Sequence, residues 1–525
     1  MQFDHSGETL LSPEDRARRR FLQLAGSSAV AISGSALFGS RAFAAETPKR
    51  GGHLILGIDT ASSSDRLDPA FYFEEYMYNV GRQIFNTLTD LNDDGSLRPG
   101  LAESWASRDD ARVWVIKLRR GVQFHNGKTL EPADVVYSLD HHRGKDSQSA
   151  AKSYLDPVKE IAITGPNELT FKLDSPNVDF PYLLGDVHFG ITPKGADFSK
   201  GIGTGAYVLE SFQPGVRVLT RRNPNYWDAS RGFVDSVETV AYNDSAARVA
   251  AILSGSVHLI NRVEPRLTKR LESVQAIRLH RARDTNNVLF PMLADQAPFK
   301  NNDVRTALKY AIDREQLRTS LLGGYGSVAN DNPLFPSDRF YTADVPKHAY
   351  DPDKANFFWK KAAVTQPIVL SAADGATFDG AVSAAELYQA SATKARIPFR
   401  VNRVPADGYW TQVWMKQPFC ASSWANRPTA DAYLSMICVS NAPWNESRWK
   451  SPAFDQLVAA ARSESNDARR KQIYHDIQVL YSEQGASVIP LYADSLRASR
   501  SNLRGYVDIP GEVGSRAAEK VWFAS

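Results

Sequence analysis

Residues capable of covalent chemistry are present in this chain, but they are not arranged for it. No GxSxG marks an activated serine, and no SxxK stands with its companion motifs. A triad can always be drawn from 10 histidines, so their number carries no weight. Metal chemistry is no better served: CxxC and HExxH are absent, and the neighbours His141 and His142 would point in different directions on a helix. An envelope hydrolase is therefore disfavoured, and no catalytic residue, metal ligand or cofactor is expected. What the chain has in quantity is aromatic surface, with Trp 10, Tyr 20 and Phe 25. Such residues fill a large core, and they also line pockets for organic ligands.

The first 44 residues restrict where that ligand would be met. Arg18-Arg19-Arg20 precedes Phe21-Leu22, and a mildly apolar run, Leu24 to Phe38, follows. Arg41-Ala42-Phe43-Ala44 then offers a small-x-small cleavage site. Charged region, short apolar run and cleavage site together predict a signal peptide of the twin-arginine type, cleaved after about Ala44. The apolar run is 15 residues long and broken by glycine and serine, too short for a membrane anchor. A periplasmic location is the expectation. Cys420 and Cys438, the only two cysteines, would be free to pair in that oxidising compartment and enclose residues 421–437. Two separate buried thiols are the alternative.

Residues 45–525 carry a net charge of +2, which gives no reason to invoke nucleic acid or an anionic membrane surface. Their length suggests two or three lobes. Hydrophobic residues at 43% and charged residues at 23% are typical of a folded globular chain. Short strands alternate with amphipathic helices, which predicts an α/β protein. Strands are expected at Gly52–Ile58, Arg112–Leu118 and Glu168–Leu173. Helices are expected at Glu75–Thr87, from Pro132 through Leu139, and at Asp303–Leu317, Ser451–Arg462 and Arg469–Glu483. Phe124-His125-Asn126-Gly127-Lys128 reads as a tight turn, and Trp105 and Trp114 as core.

Several blocks carry a more specific signal. They are Pro99-Gly100-Leu101-Ala102-Glu103-Ser104-Trp105, Val113 through Gly127, and Ala133-Asp134-Val135-Val136-Tyr137-Ser138-Leu139. Gly203-Thr204-Gly205-Ala206-Tyr207, Arg222-Asn223-Pro224-Asn225-Tyr226-Trp227, Ala311-Ile312-Asp313-Arg314-Glu315 and Tyr350-Asp351-Pro352-Asp353-Lys354-Ala355 follow in order. Together they resemble the peptide-type (family 5, cluster C) extracytoplasmic solute-binding proteins of ABC importers.

The resemblance implies a two-lobed periplasmic-binding-protein fold, type II-like, with an extra satellite subdomain, acting as a monomer with an ABC permease and ATPase complex as partners. Lobe I would comprise 45–72, 190–278 and 493–525, the satellite 73–189, and lobe II 279–492. Two parallel crossings, near Arg278–Asp284 and Ile489–Ala493, would form the hinge. The ligand would be a peptide or peptide-like solute. In this family a loop after a tryptophan in the second lobe reads the ligand, and here that loop is Trp424-Ala425-Asn426-Arg427-Pro428-Thr429. Peptide receptors place an acid there to hold the ligand's ammonium group. This chain has Asn426-Arg427 instead, and a guanidinium favours a carboxylate. An opine-like or other carboxylate-bearing amino-acid derivative is thus the alternative ligand, with Asp431 either a substitute acid or a helix cap. The remaining expected ligand contacts are Ser63, Ser64, Tyr154, Asn287, Tyr409 and Tyr492. Trp410 and Trp414 fit either core or pocket wall. A sensory binding protein would share the same architecture.

Overall fold

A computed structural model describes residues 47–374, 376–509 and 516–524. The export signal and its cleavage site lie outside the described residues. Among those described, no helix is long and apolar enough to cross a membrane.

The sheet that organises the chain has nine strands. His53–Ile58 lies at its middle, parallel to Ser236–Ala241 on one side and to Leu259–Ile260 on the other. Arg217–Arg222 and Tyr207–Gln213 extend the first side as an antiparallel hairpin. On the other side two unusually long strands, Ile277–Pro291 and Ser487–Arg500, run antiparallel. At about 3.3 Å per residue each spans roughly 45–50 Å, longer than a single lobe requires. Their first stretch pairs Ile277 with Arg500 through Ala282 with Ser495, and there Leu259–Ile260 joins the ladder. Pairing then breaks and resumes from Asn286 opposite Ala493 to Pro291 opposite Ser487. That second stretch carries different neighbours, Ser422–Ala425 on one side and Gly326–Val328 on the other.

The break therefore falls where the chain passes from one set of neighbours to the next. Asp284 sits in it with a left-handed φ of 52°. Its backbone N–H donates to the Asp494 carboxylate at 2.9 Å, and its own carboxylate accepts from Ser327. Gly326 has to be glycine, because a Cβ there would lie 2.3 Å from the Tyr492 carbonyl oxygen. The segments expected to cross between lobes, near Arg278–Asp284 and Ile489–Ala493, belong to these two strands, which pair antiparallel.

Residues 73–189 contribute a four-stranded antiparallel sheet, in the order Ala102–Arg108, Val113–Leu118, Glu168–Leu173, Val158–Gly165. Its apolar face packs a core around Trp114, Phe171, Phe180 and Phe189. Beyond the crossings a second core gathers Phe290, Leu308, Trp359, Tyr388 and Phe419. The expected helix Asp303–Leu317 is two helices, Asn302–Ala311 and Arg314–Leu322. Ile312 is extended, and the Asp313 carboxylate accepts from the Gln316 N–H, capping a new start. In the Phe124–Lys128 turn only Gly127 takes positive φ, and His125 spends its ring nitrogen on the Gly205 carbonyl, a scaffold contact.

The two cysteines are not bridged, which corrects the expected disulfide. Cys420 is buried with Ala373, Tyr409 and Val413, while Cys438 belongs to the separate cluster of Tyr433, Trp449 and Tyr481. Each ends in its own apolar surroundings, and burial pushes the Cys420 thiol up to about 12 and Cys438 higher still. Ellman titration of denatured, unreduced protein should find two free thiols, and native protein at pH 8 should react slowly, because thiolate is scarce. A thiol count of zero would restore the bridge.

Residues 73–189 also touch the region beyond the crossings. Val178 N–H donates to the Arg462 carbonyl at 3.1 Å. Asp179 and Arg470, both buried, form a two-pronged ion pair, with one prong at 3.0 Å, and Arg339 adds a weaker contact at 3.6 Å. Arg470→Met should lower unfolding free energy by about 3–5 kcal/mol, because it strands a buried carboxylate. Replacing both partners by apolar residues, Asp179→Leu with Arg470→Met, should recover much of that loss in denaturant melts. A double variant weaker than Arg470→Met alone would contradict this.

Candidate functional site

The strand Ser422–Ala425 delivers Trp424 and the residues after it to one flank of the crossing. Pairing with Asn286–Leu289 fixes this strand's register, so Trp424 stands opposite Asn287. Asn426 N–H donates to the Thr285 carbonyl at 2.8 Å, and its side-chain amide donates to Ser337 at 3.1 Å. Thr429 caps the helix Ala430–Ile437 by accepting from the Ala432 N–H at 3.1 Å. Asp431, in the first turn, is buried and pairs with Arg462 at 3.0 Å. It is therefore neither a substitute acid for a ligand nor the cap.

Arg427 is the exception in this stretch. Among the described residues it forms no ion pair, and its buried Nε has no hydrogen-bond acceptor. The one side-chain contact of its guanidinium is soft, Nη2 at 4.0 Å from the Met436 sulfur. Its positive charge reaches three phenols, Tyr78, Tyr154 and Tyr433. Burial pushes all three hydroxyls up, and the guanidinium opposes that shift. Tyr78 and Tyr154 come from the 73–189 region, whereas Arg427 and Tyr433 lie beyond the crossing. Tyr154 packs against both the Phe171–Phe189 core and the core around Tyr433 and Tyr492.

Tyr78 also feels two carboxylates, Asp186 and Glu74. Burial works against the Asp186 charge, but His188 beside it at 2.5 Å holds its carboxyl down to about 2. A cation thus meets aromatic hydroxyls and fixed negative charge across a seam between two parts of the chain. That arrangement can hold an anion by two parallel N–H···O bonds while phenol hydroxyls complete its shell.

Other expected contacts fall elsewhere. Tyr409 is fully buried, its hydroxyl donating to the Ala421 carbonyl at 2.8 Å. Tyr492 is likewise buried and donates to the Asn332 and Leu334 carbonyls. Asn287 is buried too, accepting from Trp424 N–H and donating to the Tyr433 hydroxyl, both at 2.9 Å. These three are corrected from ligand contacts to braces behind the loop. Thr429 is corrected to a helix cap. Ser63 and Ser64 lie on an exposed turn braced by Asp65, and the Ser64 hydrogen bonds stay within that turn. Sequence reasoning missed Tyr78 and Tyr433. Helical periodicity placed Tyr78 off the buried Val80–Ile84 stripe, which is the one signal that could have found it.

Two cavities lie away from Arg427. One of about 460 Å³ follows the crossing, lined by Arg281, Arg283, Thr285, Ser337, Val507 and Asp508. Ser337 links it to Asn426. Another of about 580 Å³ lies around Arg305, Arg448 and Trp449.

Known proteins share this architecture. Heme-binding protein A of Haemophilus influenzae is 24% identical over 498 residues, covering 86% of this chain and 89% of that protein. A periplasmic binding protein, DppA from Helicobacter pylori in complex with the peptide STSA, superposes with TM-score 0.78 at 21% identity, covering 91% of this chain and 99% of that one. AgaA from A. tumefacien R10, in complex with agropinic acid, gives 0.79 at 20% identity, covering 90% and 99%. These likenesses show the two-lobed α/β fold. Residues 96–445, more than half of the length, match the model for bacterial extracellular solute-binding proteins, family 5 (middle), and the chain belongs to that family.

Proposed function

We propose that the chain is the extracytoplasmic receptor of an ABC importer, and that it takes up a peptide or peptide-like solute by gripping a carboxylate with Arg427. Export by the twin-arginine signal, cleavage after about Ala44 and a monomeric periplasmic form complete the reading. Lobe I is assigned to 45–72, 190–278 and 493–525, the satellite to 73–189 and lobe II to 279–492. The observation that carries the reading is the half-buried Arg427 guanidinium, which has no carboxylate partner among the described residues and whose buried Nε has no acceptor, while its charge is felt by Tyr78 and Tyr154. That Nε is a donor whose missing acceptor a ligand oxygen would supply. Asn426 and Arg427, where peptide receptors use an acid, favour an opine-like or other carboxylate-bearing amino-acid derivative as the second reading. AgaA, a structural neighbour, is complexed with agropinic acid.

The test begins with native mass spectrometry of protein purified from its own host, to identify a co-purifying solute. For that solute Arg427→Ala should cost about 2–5 kcal/mol of binding, roughly thirty-fold to several thousand-fold in Kd. Arg427→Lys should restore only part, since an ammonium lacks the planar fork. Melting of the ligand-free variants should change little, because Arg427 holds no internal ion pair. An unchanged Kd in Arg427→Ala would remove the carboxylate grip.

Closure makes a separate prediction. A solute touching both sides of the seam binds the closed form better and shifts the population toward it. Small-angle scattering should show a smaller radius of gyration at saturation. The same radius with and without bound solute would rule out closure about the crossing.

A further inference from the structure

We propose that Glu446 is a positioning residue that aims a row of tryptophans at the ligand, so that the captured solute carries a flat aromatic group beside its carboxylate. This rests on the reading of Arg427 as a ligand contact. Glu446 is 3% exposed, and among the described residues no cation pairs with it. Its carboxylate instead accepts three neutral donors: Trp414 Nε1 at 2.5 Å, Ser422 Oγ at 2.7 Å and Trp424 Nε1 at 2.8 Å. Burial raises its carboxyl and the three donors oppose that rise.

A carboxylate buried without a cation is an expensive way to fill a core. What it does that an amide cannot is accept from the two indoles on two different atoms, one on each oxygen, since an indole N–H only donates. A glutamine at this position would turn an NH2 group toward one of them. Trp414 and Trp424 come from different segments, and the shared acceptor fixes both rings.

The fixed rings extend into a row. Trp424 stacks on Trp444, with centroids 5.6 Å apart and planes 23° from parallel. Trp414 leans on Trp424 at 6.2 Å, and Trp410 meets Trp414 edge-on at 5.5 Å. Trp410 is 46% exposed, and Trp414, Trp424 and Trp444 are half-buried, each of these three packing in part against an apolar cluster and keeping the rest of its surface accessible. The row's backbone is tied to the segment that carries Arg427. Trp424 lies three residues before Arg427, and the Trp444 N–H donates to the carbonyl of Met436, whose sulfur touches the Arg427 guanidinium. On this proposal a solute whose carboxylate sits on Arg427 reaches the accessible parts of these indoles, whose faces select planar apolar groups.

The probes are L-alanyl-L-phenylalanine, L-alanyl-L-tryptophan and L-alanyl-L-alanine, titrated calorimetrically into the mature protein. Wild type should bind the aromatic dipeptides at least about ten-fold more tightly than the aliphatic one. Glu446→Gln should compress that ratio below about three-fold, and should change the indole bands in near-UV circular dichroism. Glu446→Asp, which keeps two acceptor oxygens, should recover part of the ratio. Should Glu446→Gln fail to fold, Trp444→Leu carries the same test, because it removes the stacked face and leaves the carboxylate network whole. Equal binding of aromatic and aliphatic probes by wild type, binding of none of the three, or an undiminished ratio in the folded variants would overturn the inference. Arg427→Ala separates the two readings: it should weaken all three probes alike and leave their ratio. If it spares them while the ratio persists, the carboxylate grip fails and the tryptophan wall stands.

Discussion

The antiparallel pair Ile277–Pro291 and Ser487–Arg500 is the constraint on which the rest of the molecule depends. Each strand is a member of two ladders in succession, and between them the pairing lapses from Ala282 to Asn286. A continuous ladder would make one stiff sheet. Two independent strands would leave the halves unregistered. A paired ribbon interrupted near Asp284 keeps both halves in register, and on the proposed reading any flexure would fall there. Two polar bonds lie there: the Asp284 N–H donates to the Asp494 carboxylate, and the Ser327 hydroxyl donates to the Asp284 carboxylate. Ser422–Ala425 adds to this ribbon just past the interruption, so the candidate loop is carried by the element that would move.

Contacts across the seam are of two kinds, and they differ in what they ask of a ligand. Asp179 with Arg470 is complete in itself, two buried charges that answer one another. Arg427 is incomplete, a cation among phenols. The first kind holds one arrangement of the halves with no solute present. On the proposed reading the second is completed by a solute, and a ligand shifts an equilibrium only through interactions that one state offers better. Phenol hydroxyls suit the task because they bond a carboxylate without cancelling the guanidinium charge.

Much of the fold was legible in the sequence because local signals and tertiary packing agreed. Ser451-Pro452 begins a helix as a cap followed by proline, and the strand at Glu168–Leu173 follows its alternation residue for residue. Failures occurred where a local signal had two meanings. Asp313 inside an amphipathic run is either a surface residue or a cap, and it caps. Tyr409 and Tyr492 lie beside the loop in sequence or across the ladder, and adjacency said nothing of which way their hydroxyls pointed. Both turn inward to backbone carbonyls. The cysteines stand near in sequence yet fall into different apolar clusters, a fact of tertiary packing that spacing does not encode. Glu446 gave no signal, since a lone acid between Asn445 and Ser447 reads as surface until two distant indoles are seen to converge on it.

The same bookkeeping of partners explains how a scaffold of this kind can change ligand without being rebuilt. Along the loop nearly every side chain has a structural duty. The Trp424 backbone and indole are bonded to Asn287 and Glu446. Asn426 holds Ser337, Thr429 caps a helix, and Asp431 answers Arg462. Those bonds fix the backbone on both sides of position 427 and ask nothing of its side chain. A residue so placed is free to vary in charge, because the fold neither draws stability from it nor needs it to satisfy a neighbour. On the proposed reading, exchanging the side chain at 427 would alter which charge the ligand must carry while the loop that presents it stays in place.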